Sequence, residues 1–136
     1  MNIFVLEDNA DRIKEFASRY IKYSLVICNN VEKAISILTL IKFDIVFLDH
    51  DLEGKVYVPP TNPNTGTRVC EMIVKGPNSD TPTIVHTFNH VAAERMMGIL
   101  RSNPHHSIIK WEEFGTKEFW EEVTKVESYC GDKLVV

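Results

Sequence analysis

The sequence predicts an α/β fold: a doubly wound sheet of five parallel strands between two layers of helices. Three observations predict it. Short apolar runs alternate five times with longer stretches whose apolar residues recur every three or four positions, the two periods of strand and helix. The runs are apolar almost throughout, as strands buried on both faces are. Four of the five also end in ionisable residues, at the edge where such sheets hold their ligands.

Each element follows in order. "NIFVL" is the first strand and ends in Glu7-Asp8. "NADRIKEFASRYIK" brings Ile13, Phe16, Ala17 and Tyr20 to helical spacing, with Asn9 as a cap. "SLVIC" is the second strand. "NNVEKAISILTLIK" is the second helix, capped by Asn29 or Asn30, with Val31, Ala34, Ile35 and Leu38 inward. "DIVFLD" is the third strand and runs into Asp49-His50-Asp51. Residues 53–65 hold three prolines and read as loop. A helix starts near Gly66. "TPTIVHTF" is the fourth strand, followed by "HVAAERMMGILRSN", where Met96 and Met97 suit core filling. "HSIIKW" is the fifth strand. The last helix is capped near Thr116, with Phe119, Trp120 and Val123 inward. Strands joined by helical crossovers are parallel, and right-handed crossovers cover both faces of the sheet.

At 136 residues, 44% of them apolar and 25% charged, the chain has room for one domain, spanning 1–136. Fifteen Lys and Arg against nineteen Asp and Glu give a net charge of −4. That balance argues against duplex DNA bound through a broad basic face, though not against a nucleotide or single strand held in a pocket. No apolar run approaches the ~20 residues of a membrane span, and "MNIFVLED" lacks the basic region and apolar stretch of an export signal. Cys28, Cys70 and Cys130 are odd in number and widely spaced, which suits buried thiols in a reducing cytoplasm.

The acidic pair Glu7-Asp8, the strand-ending Asp49 and Lys110 at the end of the fifth strand resemble the receiver domain of two-component response regulators. The resemblance implies a flavodoxin-like three-layer sandwich, Mg²⁺ at the acids, phosphorylation at Asp49 and a phosphate contact at Lys110. Several positions depart from that pattern. Asp49 is followed by His50-Asp51-Leu52, where receivers carry apolar residues and a proline. Gly66 lies 17 positions after Asp49, a longer interval than receivers use. His86 replaces the small hydroxyl residue at the end of the fourth strand, unless Thr87 takes that role. Trp111 replaces the proline after Lys110. With "LEDN", "FLDHDL", "NTG" and "HTFN", the chain is similar to a divergent receiver-like group found often in phages and bacteria, the cyclic-phosphate processing receiver domain. That resemblance implies a role in RNA repair or nucleotide signalling.

The residues carry a chemical argument of their own. Glu7, Asp8, Asp49 and Asp51 crowd one sheet edge, and crowded carboxylates need a cation or a raised pKa. Oxygen donors suit Mg²⁺, Mn²⁺ or Ca²⁺, and nearby histidines move the preference toward Mn²⁺, Fe²⁺ or Zn²⁺. A plainer alternative has two of the acids facing solvent or capping helices. His50 and His86 could serve as general base and acid across a phosphodiester beside Asp49. Alternatively, His50 holds its turn and His86 donates to a strand carbonyl. Thr87, Asn89 and Lys110 are the candidate phosphate contacts, although Asn89 could equally cap a helix. Weaker signals are Asn64-Thr65-Gly66-Thr67 as an anion site or a plain cap, Arg68 and Arg95 as phosphate contacts or solvated charges, and Trp111 as a base-stacking or covering residue. The expected function is a metal-assisted phosphoesterase acting on a cyclic phosphate or nucleotide, with a small phosphorylated ligand or RNA end as partner. A stand-alone phosphoacceptor switch and a non-catalytic nucleotide binder are the alternatives.

Overall fold

Among the described residues, five strands alternate with five helices: β1 (Asn2–Leu6), α1 (Ala10–Arg19), β2 (Ser24–Cys28), α2 (Val31–Leu40), β3 (Ile45–Leu48), α3 (Gly66–Ile73), β4 (Thr83–Thr87), α4 (His90–Leu100), β5 (Ser107–Lys110) and α5 (Lys117–Glu127). The structure is a computed structural model. It describes residues 1–52, 59, 62, 65–87, 89–103, 107–110 (backbone only), 116–128 and 130. All pairings are parallel, in the order β2-β1-β3-β4-β5. Strand order reverses between β1 and β3, which makes that junction the expected ligand crevice.

Both faces of the sheet are buried, which is why its central strands read as unbroken apolar runs. Phe4, Leu6, Val46, Leu48 and Val85 pack against α2, α3 and α4 through residues such as Leu38, Val69 and Met96. Ile3, Val5, Ile45, Phe47 and Ile84 pack against α1 and α5 through Phe16, Tyr20, Phe119 and Val123. Burying one such side chain fully contributes about 1.5–3 kcal/mol relative to exposure. β2 is an edge strand and only half-buried. Asn9, Asn30 and Thr116 cap their helices through side-chain oxygens, and Asn30 rather than Asn29 opens α2. Ala17, expected inward, is exposed, because the stripe that α1 buries narrows to Phe16 and Tyr20.

The amino edge of the sheet uses its polar groups for structure. Asn78 Nδ2 donates to the carbonyls of Leu38 and Ile41, both at 2.8 Å, while its Oδ1 accepts the Phe43 amide at 2.8 Å. Asn103 donates to the Thr81 carbonyl at 2.7 Å. Among the described residues no helix is long and apolar enough to cross a membrane.

Candidate functional site

The strand register lines up three side chains at the carboxyl edge. Leu6 faces Leu48, and Leu48 faces Val85. The next residues along these strands are Glu7, Asp49 and His86, with the Asp49 amide still donating to the Leu6 carbonyl at 3.1 Å. Alternation along a strand puts all three on the α1 side of the sheet, the side of Val5, Phe47 and Ile84. All three are buried. The His86 ring packs against Phe16 and Phe47, with centroids 5.5 and 6.3 Å away. Its Nε2 lies 2.8 Å from Glu7 Oε2, and since a carboxylate only accepts, the imidazole donates.

Glu7 is the most heavily used of these groups. Its Oε1 accepts the amides of Asp8 and Asn9, each at 3.0 Å, so it braces the turn into α1. Arg12 Nη1 lies 3.2 Å from Glu7 Oε2 and 3.6 Å from Asp49 Oδ2. Burial disfavours the ionised form of Glu7. The hydrogen bond and charge of His86, with help from Arg12 and the Asn9 amide, outweigh it and hold the carboxyl below its usual range. Asp49 is pushed well above the carboxylate range, first by burial and then by the charge of Glu7. Arg12 opposes this shift, while Asp51 and Asp8 add to it. Glu7, Asp8 and Asp49 each place a carboxylate oxygen within 4.8 Å of the others.

Asp51 does not join that group, contrary to the four-carboxylate expectation. Its Oδ1 lies 3.9 Å from His50 Nε2, and its charge still reaches Asp49. His50 is buried toward α3, where its Nδ1 shares a 2.7 Å hydrogen bond with Thr67 Oγ1. His50 and His86 therefore occupy opposite faces of the sheet, and the expected pairing of the two across one phosphate is not what the fold builds. The cause is the strand period: His50 is one residue past Asp49, so it points the other way.

Gly66 fixes that turn. A Cβ there would stand 1.9 Å from the Asp49 carbonyl oxygen, and the Gly66 amide donates to the His50 carbonyl at 3.1 Å. The glycine of "NTG" thus lets α3 start directly against the Asp49-His50 backbone. Thr65 opens α3 without a side-chain cap bond. Thr87 and Asn89, expected as phosphate contacts, have local uses. Thr87 Oγ1 accepts the Asn89 amide at 3.2 Å, and Asn89 Oδ1 caps α4 through the Ala92 amide at 3.0 Å. Arg68 pairs with Glu32. Lys110 ends β5 in register with Thr87, but its side chain lies outside the described residues, as do Asn64, His105, His106 and Trp111.

Arg12 is the member of the site that sequence reasoning misses. The available signal is its place on the first turn of the helix that follows the acidic pair. Beside Glu7 a cleft of about 290 Å³ opens between α1 and α2, lined by Ile13, Ile27, Cys28, Asn29, Lys33 and Ile37.

A family profile described as the cyclic-phosphate processing receiver domain matches residues 1–102. No curated protein matches the chain. Similar solved structures include the non-phosphorylated HemR receiver domain from Leptospira biflexa, at 26% identity over 93% of this chain and 94% of that one, with a TM-score of 0.70. Another is the receiver domain of a sensor histidine kinase from Pseudomonas aeruginosa PAO1, which has a magnesium ion coordinated in its active-site cleft. It is 16% identical over 96% of this chain and 97% of that one, with a TM-score of 0.63. A third, the response regulator TrrA from Thermotoga maritima in complex with Mg(2+)-BeF, is 20% identical over 93% and 99%, with a TM-score of 0.60. The last two share the fold.

Proposed function

Because the chain belongs to the cyclic-phosphate processing receiver domain family, and because its sheet edge gathers three carboxylates above a buried histidine, we propose that it is a metal-assisted phosphoesterase acting on a cyclic phosphate or nucleotide. The observation that carries this reading is the crowding of Glu7, Asp8 and Asp49, whose oxygens lie within 4.8 Å of one another. Their donor set is hard oxygen, which suits Mg²⁺ or Mn²⁺. Asp49 is displaced upward first by burial and then by the charge of Glu7, a charge that Arg12 only partly offsets. Glu7, Asp8 and Asp49 would hold the ion. Such an ion supplies Lewis acidity, polarising a phosphoryl oxygen or lowering the pKa of a water.

The protein's own groups do the rest. His86 fixes the Glu7 carboxylate from beneath, and Phe16 and Phe47 keep water from that bond. His50 stands outside the reacting space and sets the turn that presents Asp49. The cleft beside Glu7 has room for the nucleoside part of a ligand whose phosphate lies at the carboxylates, so a small cyclic nucleotide or an RNA end is the expected partner.

A panel of cyclic nucleotides and RNAs ending in 2′,3′-cyclic phosphate, analysed by mass spectrometry with and without Mg²⁺ or Mn²⁺, tests the reading. Cation-dependent gain of one water by at least one substrate is expected. Acetyl phosphate labelling of Asp49 with no turnover of any substrate would instead identify the protein as a phosphoacceptor switch.

A further inference from the structure

Arg12 occupies an unusual place. Asn9 Oδ1 accepts its amide at 3.1 Å, so its backbone is fixed in the first turn of α1. Its side chain is 13% exposed and bridges Glu7 and Asp49 at 3.2 and 3.6 Å. These are two of the three carboxylates whose oxygens come together as a candidate cation site. A guanidinium does not give up its proton in proteins. Its charge therefore remains when a divalent ion arrives, and the two cations compete for the same oxygens.

We propose that Arg12 closes the cation site as a stand-in counter-ion, and that cation entry releases its guanidinium to bind the phosphoryl oxygens of the ligand. The inference rests on the metal reading above. Its first half follows from the distances. Its second half follows from the tether: a guanidinium anchored on the first turn of α1 cannot travel far from Glu7 and Asp49. Once released, it stands beside the ion at the same sheet edge, where a phosphoryl group brings the negative charge it has lost. Its planar fork matches two phosphoryl oxygens, and the positive end of α1 adds to the attraction. Cation and phosphate should then bind cooperatively, each strengthening the other by the same factor.

The test is calorimetric titration of Mg²⁺ into the full chain, with and without inorganic phosphate, for the wild type, Arg12→Met and Arg12→Lys. Arg12→Met keeps the aliphatic stem and removes the charge. It should bind Mg²⁺ about tenfold more tightly in the absence of phosphate, within the usual range of coupling between sites. It should also lose the phosphate enhancement that the wild type shows. Arg12→Lys keeps the charge without the fork, so its Mg²⁺ affinity should stay near wild type while the phosphate enhancement falls. Folded Arg12→Met protein whose Mg²⁺ affinity is unchanged or weaker would overturn the counter-ion role. If Arg12→Met does not fold, undiminished phosphate enhancement in Arg12→Lys would overturn the proposal. Absence of Mg²⁺ binding in all three proteins would overturn the cation reading itself, and the proposal with it.

Discussion

Replacing Gly66 by alanine tests how the Asp49-His50 turn is held. The added Cβ would lie 1.9 Å from the Asp49 carbonyl oxygen, 2.7 Å from its carbonyl carbon and 3.0 Å from His50 Cα. All three are backbone atoms, so no rotamer change relieves the collision. Ordinary contact begins at 3.4 Å, so the start of α3 and the turn must separate by about 1.5 Å (3.4 − 1.9). Overpacking of this kind costs about 1–3 kcal/mol. Weakening the Gly66 to His50 hydrogen bond adds about 0.5–1.5 kcal/mol. A net loss of roughly 2–4 kcal/mol would lower the melting temperature by roughly 8–15 °C in a domain of this size. The same displacement exceeds the ~0.2 Å tolerance of a metal–ligand distance, so stabilisation by Mg²⁺ should shrink as well. Circular dichroism melts in EDTA and in Mg²⁺ read both effects. A Gly66→Ala protein with wild-type melting and full Mg²⁺ stabilisation would refute the claim that this close approach positions Asp49.

Four further outcomes follow from the same geometry. Asp49→Asn should stabilise the metal-free protein at neutral pH and abolish Mg²⁺ binding; equal melting in EDTA at neutral pH would contradict it. The sign is fixed by linkage: Asp49 has its folded pKa raised above 3.8, so its cost appears as pH rises from 3.8 through the folded value, and the advantage of Asn should vanish below that window. Glu7 is lowered from 4.5, so its contribution is present above 4.5 and is lost as pH falls through its folded value; a Glu7→Gln protein should show the smaller acid dependence in urea titrations. His86→Ala removes one partner of a buried pair and should cost about 3–5 kcal/mol by urea denaturation, whereas a loss under 1 kcal/mol would mean that Glu7 does not depend on it. Thr67→Val leaves His50 Nδ1 without its 2.7 Å partner and should cost about 1–3 kcal/mol, with no change in Mg²⁺ affinity if His50 serves only the turn.

The order of strands and helices is legible in the sequence because burial on both faces leaves runs such as "DIVFLD" with few polar positions, and because Asn9, Asn30 and Thr116 mark helix starts chemically. Glu7, Asp49 and His86 are legible as strand-end residues for the same reason. What the sequence does not supply is register. Only the pairing of Leu6, Leu48 and Val85 shows that those three share a face while His50 takes the other. Asp51 looks equivalent to Asp49 along the chain, yet its oxygens do not join those of Glu7, Asp8 and Asp49. Arg12 is missed for a different reason: its place on the first turn after the acidic pair is a weak signal, because an arginine there reads as solvated until the helix is docked. Gly66 is separated from Asp49 by a loop with three prolines, so their contact cannot be inferred from spacing. Thr87 and Asn89 illustrate the opposite error, since polar residues near a site are also the ones that cap helices.

Crystals soaked in Mn²⁺ and recorded at the manganese absorption edge test the central claim most directly. The account predicts one anomalous peak at the carboxyl edge between β1 and β3, bonded to oxygens of Asp49 and of Glu7 or Asp8 at about 2.0–2.4 Å, with the Arg12 guanidinium moved off Asp49. An edge without a peak, and Arg12 still bridging Glu7 and Asp49 at saturating Mn²⁺, would contradict it.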